Sequence, residues 1–166
     1  MRKAYTKAGD AGFTQDLSGR RLSKDHPRIV LGGRFDALQS SVDFALLTAK
    51  GPVKAALHEI QRKLWQTAGE LSGACASCVP WPVSKEDVAA LEGFMRSLGA
   101  PPAKFVRFDR PRAVAYNECR VRCRDLESAC TELLRAKKMR PVVYAYLNRL
   151  SSLFFMLAYR ETRRKG

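Results

Sequence analysis

Seven residues near the start of the chain, Thr6-Lys7-Ala8-Gly9-Asp10-Ala11-Gly12, are of types suited to holding a phosphate. Two glycines flank an aspartate beside a hydroxyl and an ammonium, so backbone N–H groups can approach phosphate oxygens while Lys7 neutralises charge. A turn-rich arm with no ligand has the same composition, so the pattern alone is a weak signal. Farther along, Arg120, Arg124 and Glu127 are spaced i, i+4, i+7, which places them on one face of a helix. Such a triad is either a phosphate clamp or a solvated ion-pair ladder worth a few tenths of a kcal/mol per pair. Asn148, Arg149 and Ser151 interrupt an apolar helix, and polar groups in that setting face a pocket or a partner, because leaving each one buried and unpaired costs about 1–3 kcal/mol.

The cysteines offer a second kind of chemistry. Cys75-Ala-Ser-Cys78 lies in a loop, and Cys119, Cys123 and Cys130 form a stripe with Leu126 along one helix. A soft-metal site usually pairs two closely spaced doublets, and the second is missing. The expected roles are buried small hydrophobes in the helix and an exposed thiol pair in the loop. Five cysteines, an odd number in a chain long enough to fold without staples, predict reduced thiols and no disulfide framework. His26 and His58 are isolated and are expected to be structural or superficial.

These groups need elements to position them. Residues 1–34 read as a loop-like arm with five glycines and no helical period. Apolar residues then recur at helical spacing from Phe35 to Ala49 and from Val53 to Leu71, with Lys50-Gly51-Pro52 between the two runs. Ser84 and Asp87 stand at capping-box distance before a third helix that Gly99-Ala100-Pro101-Pro102 ends. Phe105 to Phe108 reads as a short extended piece. Pro111 suits the first position of a long helix through about Lys138, and Pro141 that of a last helix through about Arg160. The expectation is a single all-α domain: an arm over 1–34, a five-helix up-and-down bundle over 35–160, and a basic tail over 161–166.

The 166 residues carry 30 Lys and Arg against 16 Asp and Glu, a formal charge of +14. The excess sits in three blocks, +5 over 1–34, +5 over 104–124 and +8 over 135–166. Such a balance calls for an anionic partner, and without aromatic interleaving or a helix-turn-helix nucleic acid is the least suited of these. No apolar run approaches the roughly 20 residues of a membrane helix, and the start of the chain has no apolar signal segment, so the expected location is the cytoplasm.

Five segments, YTKAGDAGFT, GRRLSKDHPR, GRFDALQSSVDFAL, CRVRCRDLE and YLNRLSSLFFMLA, occur in the order found in ATP:cobalamin adenosyltransferases of the propanediol-utilisation type, which the chain resembles along its whole length. The resemblance implies a ferritin-like five-helix bundle that assembles as a homotrimer, with ATP and a corrinoid bound between subunits. It implies transfer of the 5′-deoxyadenosyl group of ATP to cob(I)alamin, giving adenosylcobalamin and triphosphate, with magnesium accompanying the nucleotide. A flavin reductase or a B12-dependent enzyme is the implied protein partner. Thr6, Lys7, Gly9, Asp10, Gly12 and Lys24 match the ATP loop and the basic residue after it. Arg120, Arg124, Glu127 and Asn148 match the nucleotide-contacting positions, and Phe105 matches the aromatic that displaces the lower axial ligand; Arg120, Arg124 and Phe105 are the implied catalytic residues. Asp36 matches an interface acid whose family partner is an arginine, replaced here by Asp125, so a like-charge contact is expected there. Ala37, Asn117, Ser128 and Ser152 also differ from the family pattern, and the alternative reading is a non-catalytic ATP- or corrinoid-binding paralogue acting as a sensor, a carrier or a partner of a B12-dependent enzyme.

Overall fold

The computed structural model describes residues 5–103 and 106–163. Each helix begins where local chemistry favours it. Proline opens α1 (Pro27–Leu46), α4 (Pro111–Arg135) and α5 (Pro141–Arg163), where its missing N–H and fixed φ cost nothing. At the start of α2 (Gly51–Leu71), Gly51 takes φ +54, a left-handed conformation open to glycine that turns the chain out of α1. The capping box before α3 (Lys85–Leu98) is present: the Asp87 N–H donates to Ser84 Oγ at 3.4 Å and the Ser84 N–H donates to Asp87 Oδ2 at 2.8 Å. Asp87 also receives the Lys63 ammonium at 2.7 Å, which ties α3 to α2. Burial raises the Asp87 carboxyl, but Lys63 and the Ser84 amide outweigh it and hold the group below its usual range.

In packing order the helices run α2, α1, α4, α5, α3, with the α4–α5 contact the most extensive. The core lies along α5, whose Val143, Tyr146, Leu147, Leu150, Leu153, Phe154 and Leu157 are buried where that helix packs on α4 and α3. Cys119, Cys123 and Cys130 pack there as expected. Burial pushes the Cys119 and Cys130 thiols up to about 12 and that of Cys123 well above its usual value; Cys123 donates its S–H to the Leu147 carbonyl at 3.3 Å.

Five sequence expectations are corrected. The first helix starts at Pro27, eight residues before Phe35, because the buried stripe reaches back to Leu31 and the His26 ring accepts the Arg28 N–H at 3.2 Å. Gly32 and Gly33 lie inside it, each costing about 1 kcal/mol that the packing of Leu31 and Phe35 offsets. The arm holds an antiparallel hairpin, β1 (Phe13–Gln15) with β2 (Arg21–Ser23), too short to show alternation in sequence. Cys75 and Cys78 are joined in a disulfide beside a 3-10 turn at Ala76–Cys78. The basic tail is in part helix, since α5 runs through Arg163, whose guanidinium lies over the Tyr159 ring. Likewise α4 stops at Arg135, where Lys137 takes φ 53 and the Lys138 N–H returns to the Leu133 carbonyl at 2.8 Å. No helix is long and apolar enough to cross a membrane among the described residues.

Candidate active site

The hairpin presents the phosphate-type loop. Lys7 takes φ 61, uncommon for a residue with a Cβ, and the loop closes through Asp10 N–H to Lys7 O at 3.2 Å and Gly12 N–H to Gly9 O at 3.1 Å. The Lys24 N–H then donates to Gly12 O at 2.9 Å, and the Lys24 ammonium lies where a Cβ on Gly9 would come within 3.0 Å of it. Only glycine leaves that space open. Thr6, Lys7, Gly9, Asp10, Gly12 and Lys24 are therefore gathered on one short loop, with all but Gly9 exposed.

Asp16 anchors this arm, and the sequence reading missed it. Its carboxylate, 1% exposed, accepts from Ser18 Oγ at 2.6 Å, from the Ser18 and Arg20 amides at 2.9 and 3.0 Å, and from Arg28 Nη1 on α1 at 2.8 Å. The Ser18 hydroxyl contributes most, and with the Arg20 amide and Arg28 it outweighs burial, holding the carboxyl well below its ordinary range. A group shifted down stabilises the fold fully above its unfolded value of about 3.9, and that stabilisation is lost progressively as pH falls from there through the lower folded value. We expect Asp16→Asn to lower the thermal midpoint by several degrees at pH 7 and by less at pH 2.5, where the unfolded carboxyl is protonated while the native one is still ionised. Calorimetry at the two pH values checks it; an equal loss at both would contradict the anchor.

The two arginines of α4 singled out by their spacing face a different cavity. Arg120 and Arg124 on α4 line a pocket of about 540 Å³ with Met95, Arg96, Gly99 and Pro101 from the end of α3, and Ser151, Ser152, Phe155 and Met156 from α5. Arg120 is held in place by donating from Nε to Asn117 Oδ1 at 2.8 Å, whereas Arg124 is exposed and has no hydrogen bond or ion pair among the described residues. Phe155, on the pocket wall, meets Phe108 edge to face with centroids 6.1 Å apart. Glu127 and Asn148 lie on the same two helices without lining the cavity; the Asn148 carbonyl accepts the hydroxyls of Ser151 and Ser152 at 2.9 and 3.3 Å. Arg149 donates instead to Glu92 on α3 at 2.7 Å. Phe105 lies outside the described residues.

The cavity of Arg120 and Arg124 has none of Thr6 to Gly12, nor Lys24, in its wall. The candidate groups therefore lie in two places on one chain: an arm rich in amides and ammonium groups, and a pocket with three guanidiniums, those of Arg96, Arg120 and Arg124, beside apolar and aromatic surface. Sequence spacing found both α4 arginines; the wall from Met95, Phe155 and Met156 had no signal, because it forms only when α3 and α5 pack on α4. The expected like-charge contact of Asp36 with Asp125 lies between subunits, and within one chain each acid has its own setting. Asp125 pairs with Arg34 on α1 of its own chain at 3.0 Å, and so carries a compensating charge; Asp36, exposed, lines a smaller cavity of about 200 Å³ with Asp16 and Arg28.

Comparison with known proteins decides what this arrangement belongs to. A family model described as cobalamin adenosyltransferase matches residues 4–161. The chain belongs to the cobalamin adenosyltransferase family. It is 36% identical over 165 residues to a cobalamin adenosyltransferase of Cupriavidus metallidurans, covering 95% of this chain and 87% of that one. It is 33% identical over 164 residues to the corrinoid adenosyltransferase PduO of Citrobacter freundii, but spans only 49% of that relative. Among solved structures, a variant PduO-type ATP:corrinoid adenosyltransferase from Lactobacillus reuteri, complexed with cobalamin and ATP, superimposes with TM-score 0.81 at 25% identity over 96% of both chains. In this adenosyltransferase fold the pocket lined by Arg120 and Arg124 and the arm carrying Lys7 and Lys24 are the two parts with chemistry suited to a nucleotide triphosphate.

Proposed function

We propose that this chain transfers the 5′-deoxyadenosyl group of ATP to cob(I)alamin, in a homotrimer whose sites each combine the arm of one protomer with the Arg120/Arg124 pocket of its neighbour. The observation that carries this reading is the division of the site: Arg124 stands free in an open pocket, while Lys7 and Lys24 stand on an exposed loop outside that pocket. Each half has too few cations to neutralise a triphosphate alone. Together they supply two ammonium groups, three guanidiniums and the loop amides.

The reaction needs no general base. The cobalt(I) electron pair attacks C5′, the Co–C bond forms as the C5′–O bond breaks, and the leaving triphosphate carries the bonding pair away. The protein must therefore align C5′ with cobalt, stabilise charge on the departing oxygen, and exclude water from a strongly reducing nucleophile. Arg120, aimed by Asn117, and Arg124 do the second task with forked donors that match phosphate oxygens. Met95, Phe155 and Met156 supply apolar surface for the corrinoid side, and Asn148 and Glu127, one turn from the pocket lining, position the adenosine and the arginines. Phe105 is assigned the displacement of the lower axial ligand. Among the described residues no three His, Cys, Asp or Glu side chains converge to cage a metal, so magnesium fits here as Mg·ATP, held chiefly by phosphates with Thr6 or Asp10 beside it. A flavin reductase is the class of partner that supplies cob(I)alamin, and a B12-dependent enzyme the class that takes the product.

Product analysis tests the reading. With ATP and reduced cobalamin, phosphorus NMR should show intact triphosphate released one for one with adenosylcobalamin. Release of orthophosphate or diphosphate as the primary product would replace adenosyl transfer with phosphate hydrolysis.

A further inference from the structure

The Cys75–Cys78 pair is chemistry that the proposed reaction does not use. It lies in the loop between α2 and α3, and residues 75–78 are all exposed, whereas the other three cysteines are buried in α4. Both sulfurs are thus open to an incoming thiolate in a way that Cys119, Cys123 and Cys130 are not. The Ser77 hydroxyl lies 3.1 Å from Cys75 Sγ, placed to donate to a thiolate there once the bond opens. The ring closed by the disulfide spans a sequence separation of three, so in the chain-entropy model it adds little to global stability, and its opening leaves the helical core intact.

The loop also touches the anchor of the arm. A Cβ on Gly73, two residues before Cys75, would come within 2.9 Å of Arg28 Nη1 and 3.5 Å of Ser18 Cβ. Arg28 and Ser18 are the residues that hold Asp16, and Ser72 shares the smaller cavity with Asp16, Arg28 and Asp36. The path from Cys75 to the hairpin is therefore continuous contact over a few residues.

We propose that Cys75–Cys78 is a dithiol–disulfide exchange site, opened by a protein dithiol, whose state is transmitted to the N-terminal arm through Gly73 and Arg28. A thiolate of the partner attacks one exposed sulfur, a mixed disulfide forms, and the other cysteine leaves as a thiolate. The second partner thiol then resolves the mixed disulfide. Two electrons and two protons pass to Cys75 and Cys78, and the partner departs as a disulfide. The closed loop holds Gly73 against Arg28; the open loop releases it and loosens the hairpin.

The test uses the full chain without ATP or cobalamin, so its failure leaves the adenosyl-transfer reading untouched and a failure of that reading leaves this one untouched. The protein is equilibrated in graded mixtures of reduced and oxidised dithiothreitol, alkylated while folded, and mapped by mass spectrometry. Cys75 and Cys78 should gain label together as a two-electron pair, with Cys119, Cys123 and Cys130 unlabelled until the chain is denatured. Amide hydrogen exchange across residues 16–28 should be several-fold faster in the reduced protein. The Cys75→Ser, Cys78→Ser double variant should show the fast rate in every mixture. Thiols that stay free in all mixtures, or an arm whose exchange is the same in both states, would overturn the proposal.

Discussion

Arg124→Ala should lower kcat/KM for ATP by about 10²-fold while leaving the thermal midpoint unchanged within about a degree. The magnitude follows from a charge-assisted hydrogen bond, worth about 1.5–3 kcal/mol, aimed at a leaving group whose charge grows in the transition state. The absence of a stability effect follows from the structure: Arg124 is exposed, and among the described residues its guanidinium has no partner to lose. Arg124→Lys keeps the charge but not the planar fork, and should recover only part of the loss. Steady-state kinetics with ATP varied, together with differential scanning calorimetry, measure both quantities. An unaltered kcat/KM would mean that the pocket does not hold the triphosphate.

Two inactive variants should regain activity when mixed. Lys7→Ala removes a cation from the arm and Arg124→Ala removes one from the pocket; in the proposed homotrimer of either variant all three sites are damaged. If the arm of one protomer serves the pocket of its neighbour, unfolding and refolding an equimolar mixture yields some sites built from an intact arm and an intact pocket. Random assembly in a closed ring makes that fraction about a quarter, so turnover should rise to about a quarter of the wild-type value. Both changes lie on groups exposed in the single chain, and ultracentrifugation of each variant checks that assembly is preserved. A mixture no more active than its components would place arm and pocket in the same protomer.

Several features of the fold were legible because they are local. The Ser84–Asp87 box, the prolines at 111 and 141 and the stripe from Val53 to Leu71 fix their helices through nearest-neighbour chemistry, and the structure has them in place. The first helix was read short because Gly32 and Gly33 lower helix propensity, while the burial of Leu31 and Phe35, which overrides it, is a tertiary effect. Two strands of three residues are too short for alternation to register. A cysteine count says nothing about which two sulfurs a loop brings together, so the disulfide was missed.

The site divides the same way. Helical spacing found Arg120 and Arg124, and loop composition found Lys7, Gly9 and Gly12. Spacing is silent on Asp16, whose importance lies in five donors that converge from a turn and from α1. It is equally silent on Arg34, which compensates Asp125 from a neighbouring helix and changes the meaning of that acid. The charge of +14 follows suit. Part of it lies on the two halves of the proposed triphosphate site; another part is already paired within the chain, as in Arg112 with Glu161, Arg140 with Glu70 and Arg149 with Glu92.

The most direct measurement follows the visible spectrum of cob(I)alamin as ATP is added to the wild-type chain in the absence of oxygen. The account predicts ATP-dependent conversion to the adenosylcobalamin spectrum, with many turnovers per protomer and none without ATP. A spectrum that stays that of cob(I)alamin, while calorimetry shows ATP and cobalamin both bound, would contradict it.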